Sequence, residues 1–392
     1  MDQPIVRIML LAFVAMIAAA CGDDWVLAPI PQSPGPVTLA SPPCYDSIAA
    51  EGAAQGSYRM WSHTANVSIA DVAISDRGWR AVAGGQDNKV YYFDRSMAAP
   101  RFVYTTGGQV NSVAIAHEGA SFVAGSWDGK VYYFECDATQ PAWTYDTNQD
   151  QPLGGSIVED VAIDFYGRYV AAVSQTHVYL FMRANGQPIL KLNLGSTALA
   201  TVEMSGMGTH LFVGTRPESG SQARVFLLDQ TKLLWSHVIP DLGWGPNDLP
   251  TPVAVNFDGS VLAAGGRDNR VHVWTNQVQT PLWTYQIAVD SPVFSVDLSS
   301  NGKQLVATGN FTLYFFDSAD TLTTMPSYTN DGSRGDPSPY FAQPDLYSTG
   351  AWGTTGLNGI GNFLRASAIS SNGSYIIAAE PGNHLAFGLT RY

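Results

Sequence analysis

A short turn containing glycine recurs along this chain, each time between two apolar segments. Its seven copies end at Gly78, Gly119, Gly167, Gly208, Gly259, Gly302 and Gly373. Successive glycines are 41, 48, 41, 51, 43 and 71 residues apart. The stretch Val110 to Tyr145 is the plainest copy, and it reads as four short strands separated by turns. The pattern therefore predicts a chain built mostly from one repeated β unit.

The third segment of each unit is rich in β-branched and aromatic residues without alternation, as in Val131-Tyr132-Tyr133-Phe134. Such a strand is apolar on both faces, which favours a sheet covered on both sides. Four strands in about 40–45 residues is the period of a β-propeller blade. We predict an all-β fold, a seven-bladed β-propeller, over residues 57–392.

The two ends of the chain predict how such a ring would close. The seventh unit ends at Tyr392, after its third strand, whereas a strand-like segment from Tyr58 to His63 precedes the first unit. That segment resembles Leu234-Trp235-Ser236-His237, a fourth strand. We therefore predict that residues 57–63 form the outer strand of the last blade. The fourth strand of the sixth unit is expected near Tyr328.

The N-terminal residues read as a targeting segment. Arg7 precedes an apolar run from Ile8 to Ala20, which fits a signal-peptide core and is too short to span a membrane. The run ends Ala-Ala-Ala-Cys-Gly, which resembles a bacterial lipobox and implies a lipid on Cys21. The alternative is an ordinary secretory signal cut after Ala20. We predict a signal peptide over 1–20 and a Pro-rich tether over 21–56.

These segments place the protein at a bacterial cell envelope, lipid-anchored, with the outer membrane or cell surface favoured over the inner membrane. In that compartment Cys44 and Cys136 can form a disulfide, although two free thiols remain the alternative. The net charge of −13 disfavours nucleic acid as a partner. The sequence leaves the oligomeric state open.

No stretch carries the pattern of a catalytic or metal site. The histidines lack metal spacing, and we find neither a nucleophile elbow nor a phosphate loop. Because His63 and His237 occupy matching positions at blade edges, we interpret both as structural. We predict no cofactor, no metal and no catalytic residue.

The repeat core resembles the WD-repeat family over Val113 to Glu135, Val253 to Trp274 and Val293 to Asp317. This resemblance implies a platform for protein interactions. The Gly-His pair that usually opens a repeat in the WD-repeat family is absent here. The buried Asp-His-Ser-Trp network of that family is therefore not expected. Asp87, Asp128 and Asp268 precede Asn or Gly, and we interpret them as formers of type I′ turns. Quinoprotein-like propeller lipoproteins are a looser match, through Pro141 and Pro281.

Most variation in length falls at one end of the predicted ring, in loops between second and third strands and between blades. We call it the variable end, and the opposite one the plain end. Function on a regular scaffold usually lies in such loops. The candidate partner-binding residues there are Trp127, Trp244, Asp248, Tyr340, Phe341, Tyr347 and Trp352.

Two functions remain open at this stage. The favoured one is a non-enzymatic scaffold that binds a protein partner in the cell envelope through these residues. The alternative is a carbohydrate-binding or hydrolase or lyase propeller with its site at the channel mouth of the same end. The candidate aromatic residues also have a plainer interpretation, in which they pack the inserts onto the ring.

Overall fold

A computed structural model describes the chain over the following residues: 63, 67–76, 79–94, 96–136, 138–150, 156–195, 198–217, 222–242, 249–287, 292–309 and 312–317. It also describes the backbone of residues 340–342, 366–369, 375–379 and 386–390. The predicted signal peptide and tether lie outside these residues, as do residues 57–62 of the predicted closing strand.

The described residues form antiparallel sheets that follow one another along the chain. The first sheet contains Ile69–Ile74 (β1), Arg80–Gly85 (β2), Lys89–Asp94 (β3) and Phe102–Thr105 (β4). The second contains Val110–Ile115 (β5), Ser121–Ser126 (β6), Lys130–Glu135 (β7) and Trp143–Asp146 (β8), and a 3-10 helix over Thr147–Asp150 follows it. The third contains Val158–Ile163 (β9), Tyr169–Ser174 (β10), His177–Met182 (β11) and Pro188–Asn193 (β12). The fourth contains Ala198–Met204 (β13), His210–Arg216 (β14), Ala223–Asp229 (β15) and Leu233–Ile239 (β16).

The remaining described strands continue this pattern. The fifth sheet contains Val253–Val255 (β17), Val261–Gly265 (β18), Arg270–Thr275 (β19) and Trp283–Gln286 (β20). The sixth contains Val293–Leu298 (β21), Gln304–Gly309 (β22), Thr312–Asp317 (β23) and Tyr340–Ala342 (β24). A last, three-stranded sheet contains Ala366–Ile369 (β25), Tyr375–Ala379 (β26) and Ala386–Thr390 (β27). The structure confirms an all-β chain of repeated four-stranded antiparallel units; the closed seven-bladed ring stays a prediction.

The first strand of each sheet is its inner strand. Inner strands of successive sheets lie side by side, from β1 through β5, β9, β13, β17 and β21 to β25. We call the space that they face the axial space. Within each four-stranded sheet the strands then run outward in chain order. This order places the turns between first and second strands at the plain end.

The hydrophobic core lies between sheets. Each major cluster of buried residues joins two successive sheets, as where Val131 and Tyr133 of the second sheet pack with Val158 and Tyr179 of the third. Third strands are covered on both faces, so that Tyr133, Tyr179 and Trp274 are 0% exposed. The apolar pattern of these strands arises from this double coverage.

At four of the boundaries between described sheets, a ring from the outer strand packs onto the third strand of the next sheet. The contacts are edge-to-face, with centroids 5.1–5.6 Å apart: Tyr104–Phe134, Tyr145–Phe181, His237–Trp274 and Tyr285–Phe316. Between the third and fourth sheets the aliphatic side chains of Leu192 and Leu228 pack in one cluster instead. We call the four ring contacts edge-to-face steps. Each of them adds about 0.5–1.5 kcal/mol beyond the area that it buries.

The turns at the plain end are hydrogen-bonded from one sheet to the next. The amide of Asp76 donates to the carbonyl of His117 at 3.0 Å, and that of His117 to Phe165 at 3.1 Å. The amide of Phe165 donates to the carbonyl of Gly206 in the fourth sheet. The amide of Phe257 donates to the carbonyl of Ser300 in the sixth sheet. The glycine that ends each described turn has positive φ, for example 70° at Gly119, which explains why glycine marks the repeat.

Two local predictions were wrong. In the Asp87-Asn88 and Asp268-Asn269 hairpins only the Asn has positive φ, whereas a type I′ turn needs positive φ at both central residues. The outer strand of the sixth sheet is β24, which pairs with β23, rather than a segment near Tyr328. Tyr340 and Phe341 therefore belong to a sheet and not to a loop.

Candidate functional site

Trp127 is the predicted binding residue that the structure describes most fully. It lies in the hairpin between β6 and β7, at the variable end, and its side chain is 49% exposed. Its amide donates to the carbonyl of Gln109 at 2.8 Å, which holds the hairpin against the connection that leads into β5. The backbone of Trp127 is thus fixed while much of the indole faces solvent.

The other candidates are placed differently. Tyr340 and Phe341 lie in β24, where they pair with Phe315 and Tyr314 across the sheet, so their interpretation as loop residues is corrected. The remaining candidates lie outside the described residues: Trp244, Asp248, Tyr347, Trp352, Cys21 and Cys44.

Each Asp in the second hairpins binds a ring four residues later. The hydroxyl of Tyr91 donates to Oδ2 of Asp87 at 2.6 Å. Tyr132 does the same to Asp128. In the fifth sheet Nε2 of His272 lies 3.0 Å from Oδ2 of Asp268. These carboxylates, interpreted from sequence as turn formers only, therefore also connect the hairpin to the third strand.

The carboxylate of Asp128, the residue after Trp127, also accepts hydrogen bonds from two backbone amides. Its Oδ1 accepts the amide of Lys130 at 3.0 Å within the hairpin, and its Oδ2 accepts the amide of Gly107 at 2.9 Å from the incoming connection. Burial, and next the hydrogen bond to Asp128, raise the pKa of Tyr132. Tyr132 therefore remains a hydrogen-bond donor at neutral pH, and the hairpin that carries Trp127 stays clamped.

The position that matches Trp127 in the fifth sheet is not a second exposed ring. Arg267 is 5% exposed there, and its Nε lies 3.3 Å from Oδ1 of Asp241. In the first sheet the matching residue is Gln86, which is exposed. Among these three hairpins, Trp127 therefore supplies the large apolar contact surface.

The connection after β8 is partly anchored, which its sequence did not reveal. Asp150 accepts hydrogen bonds from the hydroxyl of Tyr145 at 2.8 Å and from Nζ of Lys191 at 2.7 Å. Burial opposes ionisation of Asp150, but the hydrogen bonds from Lys191 and Tyr145 outweigh it and lower its pKa. The 3-10 helix is thereby fixed between the second and third sheets.

Cys136 follows β7 at the plain end and is disulfide-bonded. Its amide donates to the carbonyl of Ala120 at 2.9 Å. Because Cys21 and Cys44 are outside the described residues, the pairing with Cys44 stays a prediction.

In the part of the chain that the structure describes, no three His, Cys, Asp or Glu residues are grouped to hold a metal ion. His237 packs against Trp274, as expected for a structural residue. Over the same residues, none of the elements is a helix that could cross a membrane.

Comparisons with known proteins agree with this architecture. The family model of the WD domain, G-beta repeat, matches residues 100–135 and 253–275. A crystal structure of the RRP9 WD40 repeats superposes with a TM-score of 0.56 and 13% identity, covering 82% of this chain and 89% of that one. No curated protein matches in sequence. The chain thus has the fold of WD40-repeat propellers.

The Asp–Tyr pair can be tested by the Tyr132→Phe substitution. Removing the hydroxyl leaves the ionised Asp128 with one donor fewer, so we expect the free energy of unfolding to fall by about 1.5–3 kcal/mol. The measurement is urea denaturation followed by circular dichroism. Tyr104→Phe, on the outer strand β4, is the matched control. If both substitutions cost the same, the hydrogen bond does not stabilise the hairpin.

Proposed function

We propose that this chain is an envelope-anchored, seven-bladed, WD-repeat-like β-propeller that binds a protein partner at its variable end and catalyses no reaction. The observation that carries this proposal is Trp127, a half-exposed indole on a hairpin whose backbone is clamped on two sides. Tryptophan on a rigid support is typical of the residues that dominate protein interfaces. The WD40-type fold supports the same function, because such propellers generally bind proteins.

Closure of the ring is part of this proposal, and the comparison of β1 with the matching inner strands supports it. Val72 is 67% exposed, whereas the matching Val113, Val161, Val202 and Val296 are each covered by the preceding sheet and are 6% exposed or less. Ile74 shares the open face with Val72. Because every matching valine is covered by a neighbouring blade, we assign the last sheet to this face.

His63 supports the predicted closing strand. Its ring packs edge-to-face on Phe93 at 5.3 Å, on the face of the first sheet that carries Val72. Phe93 occupies the place of Trp274, and His63 that of His237, in the series of edge-to-face steps. A residue in this place belongs to the outer strand of the preceding blade, which here is the last one.

Closure can be tested with Val72→Asp. In an open ring the new carboxylate would remain in water, but in a closed ring it would be buried without a partner. We expect a loss of roughly 3–5 kcal/mol in the free energy of unfolding, which is the usual range for an uncompensated buried charge. Val103→Asp, on the exposed side of β4, is the control and should change stability by about 0.5 kcal/mol or less. Equal costs for the two substitutions would argue against closure.

Export and anchoring rest on the N-terminal sequence and on Cys136. A disulfide persists in oxidising compartments, which is consistent with an envelope location. We assign Cys44 as the partner of Cys136, because Cys21 is the residue that the lipobox-like sequence marks for lipidation. The tether would then reach the ring at its plain end, leaving the variable end directed away from the membrane.

Anchoring predicts a simple outcome for Cys21→Ser. Without a thiol to carry lipid, the protein should leave the membrane fraction and appear in the soluble fraction after cell breakage. Immunoblots of the two fractions measure this change, with Cys44→Ser as the control that keeps the lipid. Membrane retention of the Cys21→Ser protein would rule out the lipid anchor.

Partner binding can be tested by crosslinking and pull-down from native envelopes. Trp127→Ala should reduce capture of specific partners at least about tenfold, since interface tryptophans commonly contribute 2 kcal/mol or more. Tyr166→Ala is the control, because Tyr166 is 57% exposed but lies at the plain end. If capture survives Trp127→Ala, the binding surface lies elsewhere.

A further inference from the structure

Carboxylates lie along the inner strands, at the edge where a sheet has no further strand. Asp71 of β1 and Asp160 of β9 follow an irregularity in the pairing of each inner strand with its second strand. Ser112 and Thr201 hold the matching positions in β5 and β13. Backbone N–H groups at such an edge need acceptors from outside the ladder.

These side chains supply the acceptors and connect the sheets. Asp71 accepts the amide of Val72 and, across the sheet boundary, that of Val113, both at 2.8 Å. Asp160 accepts the amides of Val161 at 2.9 Å and Val202 at 2.8 Å. Two of these four bonds therefore cross between sheets, from the first to the second and from the third to the fourth.

Ser112 links the two pairs. Its hydroxyl donates to Oδ1 of Asp160 at 2.6 Å, which joins the second sheet to the third. The oxygen of Ser112 also accepts the amide of Val161 at 3.2 Å, and the next residue, Val113, donates its amide to Asp71. One hydrogen-bonded chain thus runs along the inner strands of the first four sheets.

The same axial space contains an excess of negative charge. Glu203 of β13 faces Asp160, Asp297 and Asp71. Within the described residues, no Lys or Arg forms an ion pair with Asp71, Asp160 or Glu203. Arg216, at the end of the second strand β14, pairs with Glu159 of β9 at 3.3 Å.

This environment opposes ionisation. Burial, and then the charge of Asp71, raise the pKa of Asp160 to about 7, although hydrogen bonds from Ser112 and from the amides of Val202 and Val161 counteract the shift. Burial also raises the pKa of Asp71. Glu203 keeps contact with solvent, yet partial loss of solvation, and next the charges of Asp160, Asp297 and Asp71, raise its pKa well above the ordinary value.

We propose that Asp71, Asp160 and Glu203 form a proton-controlled clamp on the inner strands of the first four sheets. When some of the three are protonated, their mutual repulsion is small, while an ionised Asp71 or Asp160 still accepts the amides that join the sheets. Ionised together, they repel one another across the axial space and loosen the contacts between the sheets. The clamp is a property of the ring and is independent of partner binding.

The clamp reaches the variable end through residues beside Asp160. The side-chain amide of Asn111 donates to the carbonyl of Glu159 at 2.6 Å, and Glu159 pairs with Arg216 at the end of β14. Both contacts lie where inner strands begin, next to the connections at the variable end. Loosening the inner strands would therefore alter the position of these connections.

The sign of the pH dependence follows from the direction of the shifts. A carboxyl whose pKa is higher in the folded state binds more protons folded than unfolded, from its ordinary range up to about pH 7 for Asp160. Its contribution to stability is therefore largest on the acidic side and declines as the pH rises through 7. Carboxylates with lowered pKa, such as Asp94 and Asp229, oppose this only at more acidic pH.

The test is the thermal unfolding midpoint of the full chain between about pH 5 and pH 8.5. We expect the wild-type midpoint to fall as the pH rises, and Glu203→Gln to flatten this fall, because the isosteric amide removes a charge without removing a hydrogen bond between sheets. Glu118→Gln, at an exposed plain-end turn, is the control and should keep the wild-type slope.

A second readout locates the effect. Hydrogen exchange at the amides of Val113 and Val202, corrected for the intrinsic pH dependence, should accelerate by about tenfold or more over the same range, because their acceptors are the clamp carboxylates. A wild-type midpoint that stays level or rises with pH would overturn the proposal. So would equal slopes for wild type and Glu203→Gln, or unchanged corrected exchange at both amides.

Discussion

Each sheet in this chain has two apolar faces, and it can bury neither by itself. Every other feature of the fold depends on covering those faces with a neighbouring sheet. The edge-to-face steps show how this is done, since one ring of an outer strand closes the gap above the third strand of the next sheet. The first sheet departs from this pattern, since Val72 is 67% exposed on the face where the ring of His63 packs on Phe93. The proposed closure would cover this face with the last sheet.

Because the sheets stack in this way, the turns and loops at the two ends of the molecule differ in how much their length and shape can vary. At the plain end the turns are tied by backbone hydrogen bonds from sheet to sheet, so their length and shape are constrained. At the variable end, loops are held individually, as by Asp128 beside Trp127 or by Asp150 beside Lys191. Loops that are fixed one at a time can differ in length without disturbing the ring, so this end can specialise.

The repeat could be predicted from the sequence because the fold requires particular residues at fixed places. These are glycine where φ is positive in the turns, and apolar residues in the third strands, which are covered on both faces. It misplaced β24, because an outer strand pairs on one side only and needs no strong pattern. The bond from Tyr132 to Asp128 was missed, although an Asp four residues before a Tyr or His in three of the second hairpins could have indicated it. The exposure of Trp127 followed from its hairpin, whereas the burial of Arg267 depends on Asp241, which no local pattern reveals.

The inner edge is a place where stacking does not satisfy the backbone, because an inner strand has no strand partner on its axial side. Asp71 and Asp160 resolve this by accepting amides from two sheets at once, but they bring charge into a space without a balancing cation among the described residues. Serine and threonine at the matching positions avoid that cost, and Ser112 is a neutral donor to Asp160. The alternation of acid and hydroxyl along the inner strands therefore joins the sheets while limiting repulsion, and the proposed clamp would make these contacts sensitive to protons.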